Sequence, residues 1–368
     1  MRTYITIQII LYLIILIITY FSLNSGFFSN TTKFDSELGW SNKRSISKVS
    51  KGNIITTNSL GFRSTNVDPS KKHILLVGDS VAWGFGVSDN QTIAYHLDKK
   101  ITNMQTLNLG VPGYGIDQSY IRLKRHIGKL NPELIIFIIF TANDLLDLSQ
   151  DTRFGKTKPF FVPTGNIKIK NGKSSNYYEK NIKLINNHVS QFSCMNLLSR
   201  GPFQWRSELQ TLRSKYCTQR TLDKISIGYV FRSLIMKFVQ LSMEYNSKII
   251  FVISPQRGDF RFSNIDEYKN KVNEIHKATP EKRSQLIKLV SYGNSFYKSH
   301  FPFVDLNNIQ IHFSKAKLPY IDFYKIIKKS NIKVDNFYLD DAHYSPFGNE
   351  FLAETIIKYI DSIELDLG

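Results

Sequence analysis

Leu134-Ile135-Ile136-Phe137-Ile138-Ile139-Phe140 is an unbroken apolar run, bounded by Pro132 before it and Asn143-Asp144 after it. A strand with one wet face alternates apolar and polar residues. A short run that is apolar at every position is instead a strand buried on both faces, which places it in a parallel sheet between layers of helices. Its surroundings agree. Residues 73–77 and Lys248–Ile253 are further apolar strand segments, and Gln105–Leu109 is a short one. Gln91–Ile101 has helical spacing, and Asp117–Leu130 sets Tyr120, Leu123, Ile127 and Leu130 three and four residues apart, as on one face of a helix. This β-α-β-α-β alternation predicts an α/β fold with helices on both faces of the sheet.

The rhythm breaks between about 150 and 219, a stretch rich in Lys, Asn, Ser and aromatic residues. Long segments of that kind in compact domains are usually functional or disordered, so it reads as an insertion that covers or borders a site. The pattern then resumes with a helix over about Leu222–Tyr245, the strand Lys248–Ile253 and a helical region over about 266–299. A short strand near Tyr320–Phe323 and a final helix from near Pro346 complete it. The domain is expected over 73–364, behind a polar linker and lead-in at 24–72.

Tyr4–Leu23 contains no charged residue and is almost wholly apolar. That length suits a helix crossing a bilayer. A cleaved signal peptide is the competing reading, but Ser22-Leu23-Asn24 and Ser25-Gly26-Phe27 are poor cleavage sites, so an uncleaved anchor is expected. Arg2 before the span against Lys33, Lys43 and Arg44 after it weakly favours a cytoplasmic globular part. Cys194 and Cys217 pull the other way, as a disulfide of an oxidising compartment, with two unrelated buried thiols as the alternative. The formal net charge of +18 is high. With no run of five basic residues and no nucleic-acid-binding signature, it reads as a surface property rather than a nucleic-acid interface.

Chemistry-bearing residues gather in four separated segments. Gly78-Asp79-Ser80 follows the first strand directly and leads into the glycine-rich Val81–Gly86. Asn108–Gly115 follows the second strand, and Thr141-Ala142-Asn143-Asp144 the third. Asp340-Asp341-Ala342-His343 precedes the final helix. Loops after parallel strands emerge at one sheet edge, where composite sites are built. A serine hydroxyl needs a base to act as a nucleophile at neutral pH. His343 is the best placed of the eight histidines, because Asp340, three residues earlier, is positioned to orient its ring; Asp341 is the second choice. The Ser80 and Gly113 backbone N–H groups and the Asn143 amide are suitable donors to a developing oxyanion.

In these four blocks the chain resembles the SGNH superfamily of GDSL-type hydrolases, whose members contribute Ser, Gly, Asn and His in this order. Ser80, Gly113, Asn143 and His343 fall on those blocks. Leu38-Gly39-Trp40 and Gly61-Phe62-Arg63 look like the lead-in of membrane-anchored bacterial members. The chain departs from the pattern at Thr141, where glycine is usual, and at Val81, where leucine is. The resemblance implies a three-layer α/β/α fold with a flavodoxin-like, mostly parallel sheet, and a serine esterase acting through an acyl-enzyme on Ser80. It also implies no cofactor, a short acyl ester or acylated envelope carbohydrate as substrate, and an inner-membrane anchor with the domain outside the cytoplasm. Acyl transfer to a sugar hydroxyl uses the same residues. A catalytically silent envelope-assembly or carbohydrate-binding protein is the non-enzymatic alternative.

Simpler roles compete at several positions. Ser80 and Asn143 also suit helix N-caps, Gly110 and Gly115 suit turns, and Asp79 and Asp144 suit loop-fixing hydrogen bonds. Trp83, Phe85 and Tyr114 are candidates equally for a pocket lining and for the core. No histidine spacing suggests a metal site.

Overall fold

The computed structural model describes residues 31–153, 156–164, 169–170, 173–174, 182–185, 222, 224–260, 274, 277, 279, 306–340 and 343–363. The expected anchor at 4–23, most of the 150–219 insertion with Cys194 and Cys217, nearly all of the helical region 266–299, and Asp341 lie outside the described residues. Among those described, no helix is long and apolar enough to cross a membrane.

Five strands form the central sheet: β5 (Lys72–Val77), β6 (Met104–Asn108), β7 (Leu134–Phe140), β14 (Lys248–Ser254) and β15 (Tyr320–Asp322), in the spatial order β15-β14-β7-β5-β6. Every pairing is parallel. Counted from the first of these strands the order is 2-1-3-4-5, the flavodoxin-like winding, in which the chain reverses direction across the sheet between β5 and β7. All seven residues of β7 are buried, as the unbroken apolar run predicts. They divide by parity. Ile135, Phe137 and Ile139 face a core with Leu123 and Ile127 of α3 (Ile116–Leu130) and Leu234 and Phe238 of α5 (Lys224–Glu244). Leu134, Ile136 and Ile138 face the other core, with Ile93 and Leu97 of α2 (Ile93–Lys100) and Leu352 and Ile356 of α8 (Pro346–Ser362). Phe137 stacks on Phe238 with ring centroids 4.3 Å apart. Each such side chain contributes about 1.5–3 kcal/mol through burial.

The remaining helices are α1 (Ser80–Trp83), α4 (Asp144–Leu148), α6 (Leu306–Lys315) and α7 (Phe323–Lys329). The insertion begins with short antiparallel pairs: β8 (Thr152–Arg153) with β9 (Lys156–Thr157), β10 (Phe160–Pro163) with β13 (Ile182–Ile185), and β11 (Ile169–Lys170) with β12 (Lys173–Ser174).

Where the sequence pattern offers only a linker, the chain forms two hairpins, β1 (Thr32–Asp35) with β2 (Gly39–Asn42) and β3 (Ser47–Ser50) with β4 (Asn53–Thr56). Strands of four residues with mixed polarity carry almost no periodic signal. They are held by the domain instead: Leu38, Trp40 and Phe62 are fully buried in the α3–α5 core.

Candidate active site

β5 ends at Val77, and the chain turns sharply at Gly78, whose φ of +152° and contacts exclude a side chain: a Cβ there would come within 2.9 Å of the Ile138 carbonyl. Asp79 then caps α1, its Oδ1 accepting from the Val81 N–H at 2.8 Å. Ser80 is thereby the first residue of a helical turn at the carboxyl edge of the sheet, next to the β5/β7 switch point. Its Oγ lies 2.9 Å from His343 Nε2 and 3.2 Å from Asp79 Oδ2.

His343 reaches Ser80 across 263 residues of chain from the segment preceding α8. Its carbonyl accepts from the Leu339 N–H at 2.7 Å, and its neighbour Tyr344 is buried, with its hydroxyl 2.7 Å from Ser254 Oγ at the end of β14. The half-buried Phe85 ring packs on the imidazole with centroids 4.6 Å apart. Trp83 and Tyr114 are buried and belong to the core. Asp340 is exposed, and among the described residues no hydrogen bond or ion pair joins it to His343.

The loop after β6 is locked to the serine turn. The Val111 N–H donates to the Gly78 carbonyl at 3.2 Å, and Asn108 Nδ2 donates to the Ala82 carbonyl of α1 at 2.8 Å. Gly110 packs so closely that a Cβ would meet the Trp83 nitrogen at 2.5 Å. Gly113 follows in this loop, buried and in the left-handed region at φ +78°. Asn143, after β7, occupies the N-cap position of α4 without a capping bond from its side chain. Its Nδ2 donates instead to Asp147 Oδ2 at 2.6 Å, and its side chain lies close to the Asp79 carboxyl, whose pKa it lowers. The buried Asp79 carboxyl thus accepts from Ser80 and feels both His343 and Asn143 electrostatically. Thr141 turns its hydroxyl away to Asp259 Oδ2, at 2.9 Å.

Buried acids lie behind this edge. Burial raises the Asp79 carboxyl above its ordinary range, opposed by the Val81 N–H and by the nearby charge of His343. Asp144, whose Oδ2 accepts from the Phe140 N–H at 2.8 Å, is pushed well up by burial and by the Asp79 charge. Asp79 and Asp144 thus do fix loops through backbone N–H groups, and they also load the site with acid groups in a medium where charge is poorly screened.

One side chain with no assigned role in the sequence reading organises the serine loop. Arg63 is almost wholly buried. Its Nη1 donates to the carbonyls of Trp83 at 3.2 Å and Gly84 at 2.6 Å, its Nη2 to Val87 at 2.7 Å, and its Nε to Asp89 Oδ1 at 2.8 Å. It therefore satisfies the carbonyl end of α1. The lead-in grips the second loop in the same way, with Trp40 Nε1 donating to the Pro112 carbonyl and Asn42 Nδ2 to the Gly110 carbonyl, both at 3.0 Å. The only local signals in the sequence are an arginine, a tryptophan and an asparagine in a polar stretch.

A hydroxyl within hydrogen-bond reach of an imidazole, at a sheet edge beside backbone and amide donors, suits nucleophilic attack on a carbonyl. Among the described residues no group of three or more His, Cys, Asp or Glu is arranged to hold a metal ion.

No protein-family model matches the chain, and no curated protein does. Among solved structures it is similar to the psychrotrophic esterase EstA from Pseudoalteromonas sp., at 11% identity over 80% of this chain and 100% of that one, TM-score 0.37. It is also similar to the lipase/acylhydrolase from Enterococcus faecalis, at 15% identity over 79% and 96%, TM-score 0.33. A member of the lipolytic protein G-D-S-L family from Veillonella parvula DSM 2008 is a third, at 11% identity over 78% and 97%, TM-score 0.34.

Proposed function

We propose that this chain is a serine hydrolase of the SGNH type that cleaves a short acyl ester through an acyl-enzyme on Ser80. The observation that carries the reading is the 2.9 Å approach of His343 Nε2 to Ser80 Oγ. In the first step His343 takes the Ser80 proton as Oγ attacks the ester carbonyl carbon. The Ser80 and Gly113 N–H groups and the Asn143 amide receive the negative charge on the carbonyl oxygen. Collapse expels the alcohol, which takes the proton back from His343, and water then releases the acid by the same sequence. An acid from the Asp340-Asp341 pair orients the imidazole; the spacing favours Asp340, while its exposure counts against it.

On this reading Ser80→Ala and His343→Ala each lose hydrolysis of a short p-nitrophenyl ester by at least about 10³-fold, with unchanged thermal unfolding. A serine-directed fluorophosphonate labels the wild type and not Ser80→Ala. Labelling that survives in Ser80→Ala overturns the assignment, and an unlabelled, inactive wild type favours a silent binding protein.

The envelope setting is part of the same proposal: an O-acetylated or short-acylated carbohydrate as substrate, and residues 4–23 as an inner-membrane anchor with the domain outside the cytoplasm. The support is the four-block resemblance together with the uncharged apolar span. Incubation with an acyl donor and a polysaccharide acceptor separates hydrolysis, which yields free acid alone, from acyl transfer. A reporter fused after Gly368 that is active only in the cytoplasm overturns the membrane orientation.

A further inference from the structure

The helix that begins beside Asn143 carries a second polar residue facing the same way. Asp147, on α4, is fully buried, accepts from Asn143 Nδ2 at 2.6 Å through Oδ2, and meets Arg153 Nε at 2.9 Å through Oδ1. Arg153 lies on β8, in the stem of the insertion. The same stem sends Lys158, wholly buried, into an ion pair with the equally buried Asp117 of α3. Gly115, at the end of the Gly113 loop, seals the two together: a Cβ there would come within 3.1 Å of the Asp147 carbonyl carbon and 2.7 Å of Asp117 Oδ1. The loops carrying Gly113 and Asn143 thus rest on two buried ion pairs, both closed by cations from the insertion.

Burying a carboxylate is costly, and an apolar residue would fill this space better if packing were all that was needed. A carboxylate does something an apolar residue does not. A terminal carboxamide has an oxygen end and an NH2 end of nearly the same shape, and only the NH2 end is of use to an oxyanion. An acceptor-only neighbour selects that end. It engages one N–H and leaves the other for the Ser80–Asp79 side, where the Asn143 side chain lies close to the Asp79 carboxyl.

We propose that Asp147, held by Arg153 from the stem of the insertion, is a positioning residue that fixes the Asn143 carboxamide with its NH2 group toward the position of the oxyanion. The inference rests on the acyl-enzyme reading above. Burial pushes the Asp147 carboxyl up to about 6, with the Arg153 charge as the largest opposing influence, so the pair is what keeps an acceptor there near neutral pH.

The test is a double-mutant cycle on the full chain, with a short-chain p-nitrophenyl ester as substrate. Asp147→Asn, which keeps only one oxygen acceptor where Asn143 and Arg153 each take one, is expected to lower kcat roughly 10- to 100-fold with KM changed less than about twofold. In an Asn143→Ala background the same substitution is expected to cost less than about twofold, because its effect runs through Asn143. Arg153→Met, which touches neither Asn143 nor Ser80, repeats the pattern at smaller amplitude and carries the test if Asp147→Asn does not fold. A merely structural role gives losses that multiply in the Asn143→Ala background, and that result overturns the proposal. So does full activity of Asp147→Asn, or of Arg153→Met where that variant carries the test, when Ser80→Ala is inactive and Asn143→Ala impaired. Activity retained in Ser80→Ala instead sinks the acyl-enzyme reading, and the positioning role with it.

Discussion

Ser80 has one hydroxyl proton and two acceptors within reach, His343 Nε2 at 2.9 Å and Asp79 Oδ2 at 3.2 Å. The shorter contact points to the base, and the longer one holds the hydroxyl in place. What orients the base is a separate matter at this scale. Asp340 sits three residues before His343, but its carboxylate is exposed. An exposed charge, screened by water and salt, orients a partner weakly. Asp340→Asn is therefore expected to reduce kcat by less than about tenfold. Conversion of the acid that does hold the ring would cost on the order of 10⁴-fold. Steady-state kinetics of Asp340→Asn beside Asp341→Asn checks this. A loss for Asp340→Asn that approaches that of His343→Ala would show its carboxylate turning inward to the ring.

At the scale of elements, α1 is a single helical turn, too short to be stable alone. It is held by neighbours at both ends: Asp79 caps its N–H groups, and Arg63 collects the carbonyls of Trp83, Gly84 and Val87. Removing the guanidinium leaves those carbonyls without their donor and Asp89 without its ion-pair partner. Arg63→Met is expected to destabilise the fold by about 3–5 kcal/mol, read as a lower urea midpoint at unchanged m-value. Arg63→Lys keeps the charge but cannot span four acceptors with one ammonium, so it recovers only part of the loss. A shift below about 1 kcal/mol for Arg63→Met would show that water satisfies the carbonyls equally well. The five central strands, the helices α2, α3 and α5 and the start of α8 were legible in the sequence to within a residue or two, because full burial of a strand such as β7 leaves its mark at every position. Arg63 was not, because its partners are backbone carbonyls, which have no residue identity to read.

For the whole molecule, burial sets how stability responds to acid. His126 packs edge-on against Phe62, with ring centroids 4.9 Å apart, and burial among Arg122, Arg125, Lys129 and Arg44 pushes its imidazole down to about 3. The folded chain thus keeps His126 neutral while the unfolded chain protonates it near pH 6.5. Its contribution is complete above pH 6.5 and is lost as pH falls from there toward 3, since the unfolded state binds the extra proton. Asp147 acts in the opposite sense: its raised carboxyl makes folding more favourable as pH falls through about 6. A variant isolates the histidine. Between pH 7 and 5, His126→Gln is expected to lose about 2 kcal/mol less stability than the parent, measured by urea unfolding at each pH. Identical losses in both proteins would show that His126 is charged in the folded state.

By itself the sequence determined the sheet, its helical layers and the four segments that meet at one edge. Buried strands must be apolar throughout, amphipathic helices must repeat their apolar residues every three to four positions, and a serine nucleophile needs a base and donors whatever the fold. Only the tertiary structure decided the rest. It brought His343 across 263 residues to Ser80. It turned a stretch that reads as linker into two hairpins, the first gripping the Gly110–Pro112 loop, and it set Asp147 and Arg153 behind Asn143. The first two of these join residues far apart in the chain, and all depend on side-chain pairs, backbone carbonyls or buried charges that only the fold assembles. Such groups show no periodicity, and their energies depend on what surrounds them.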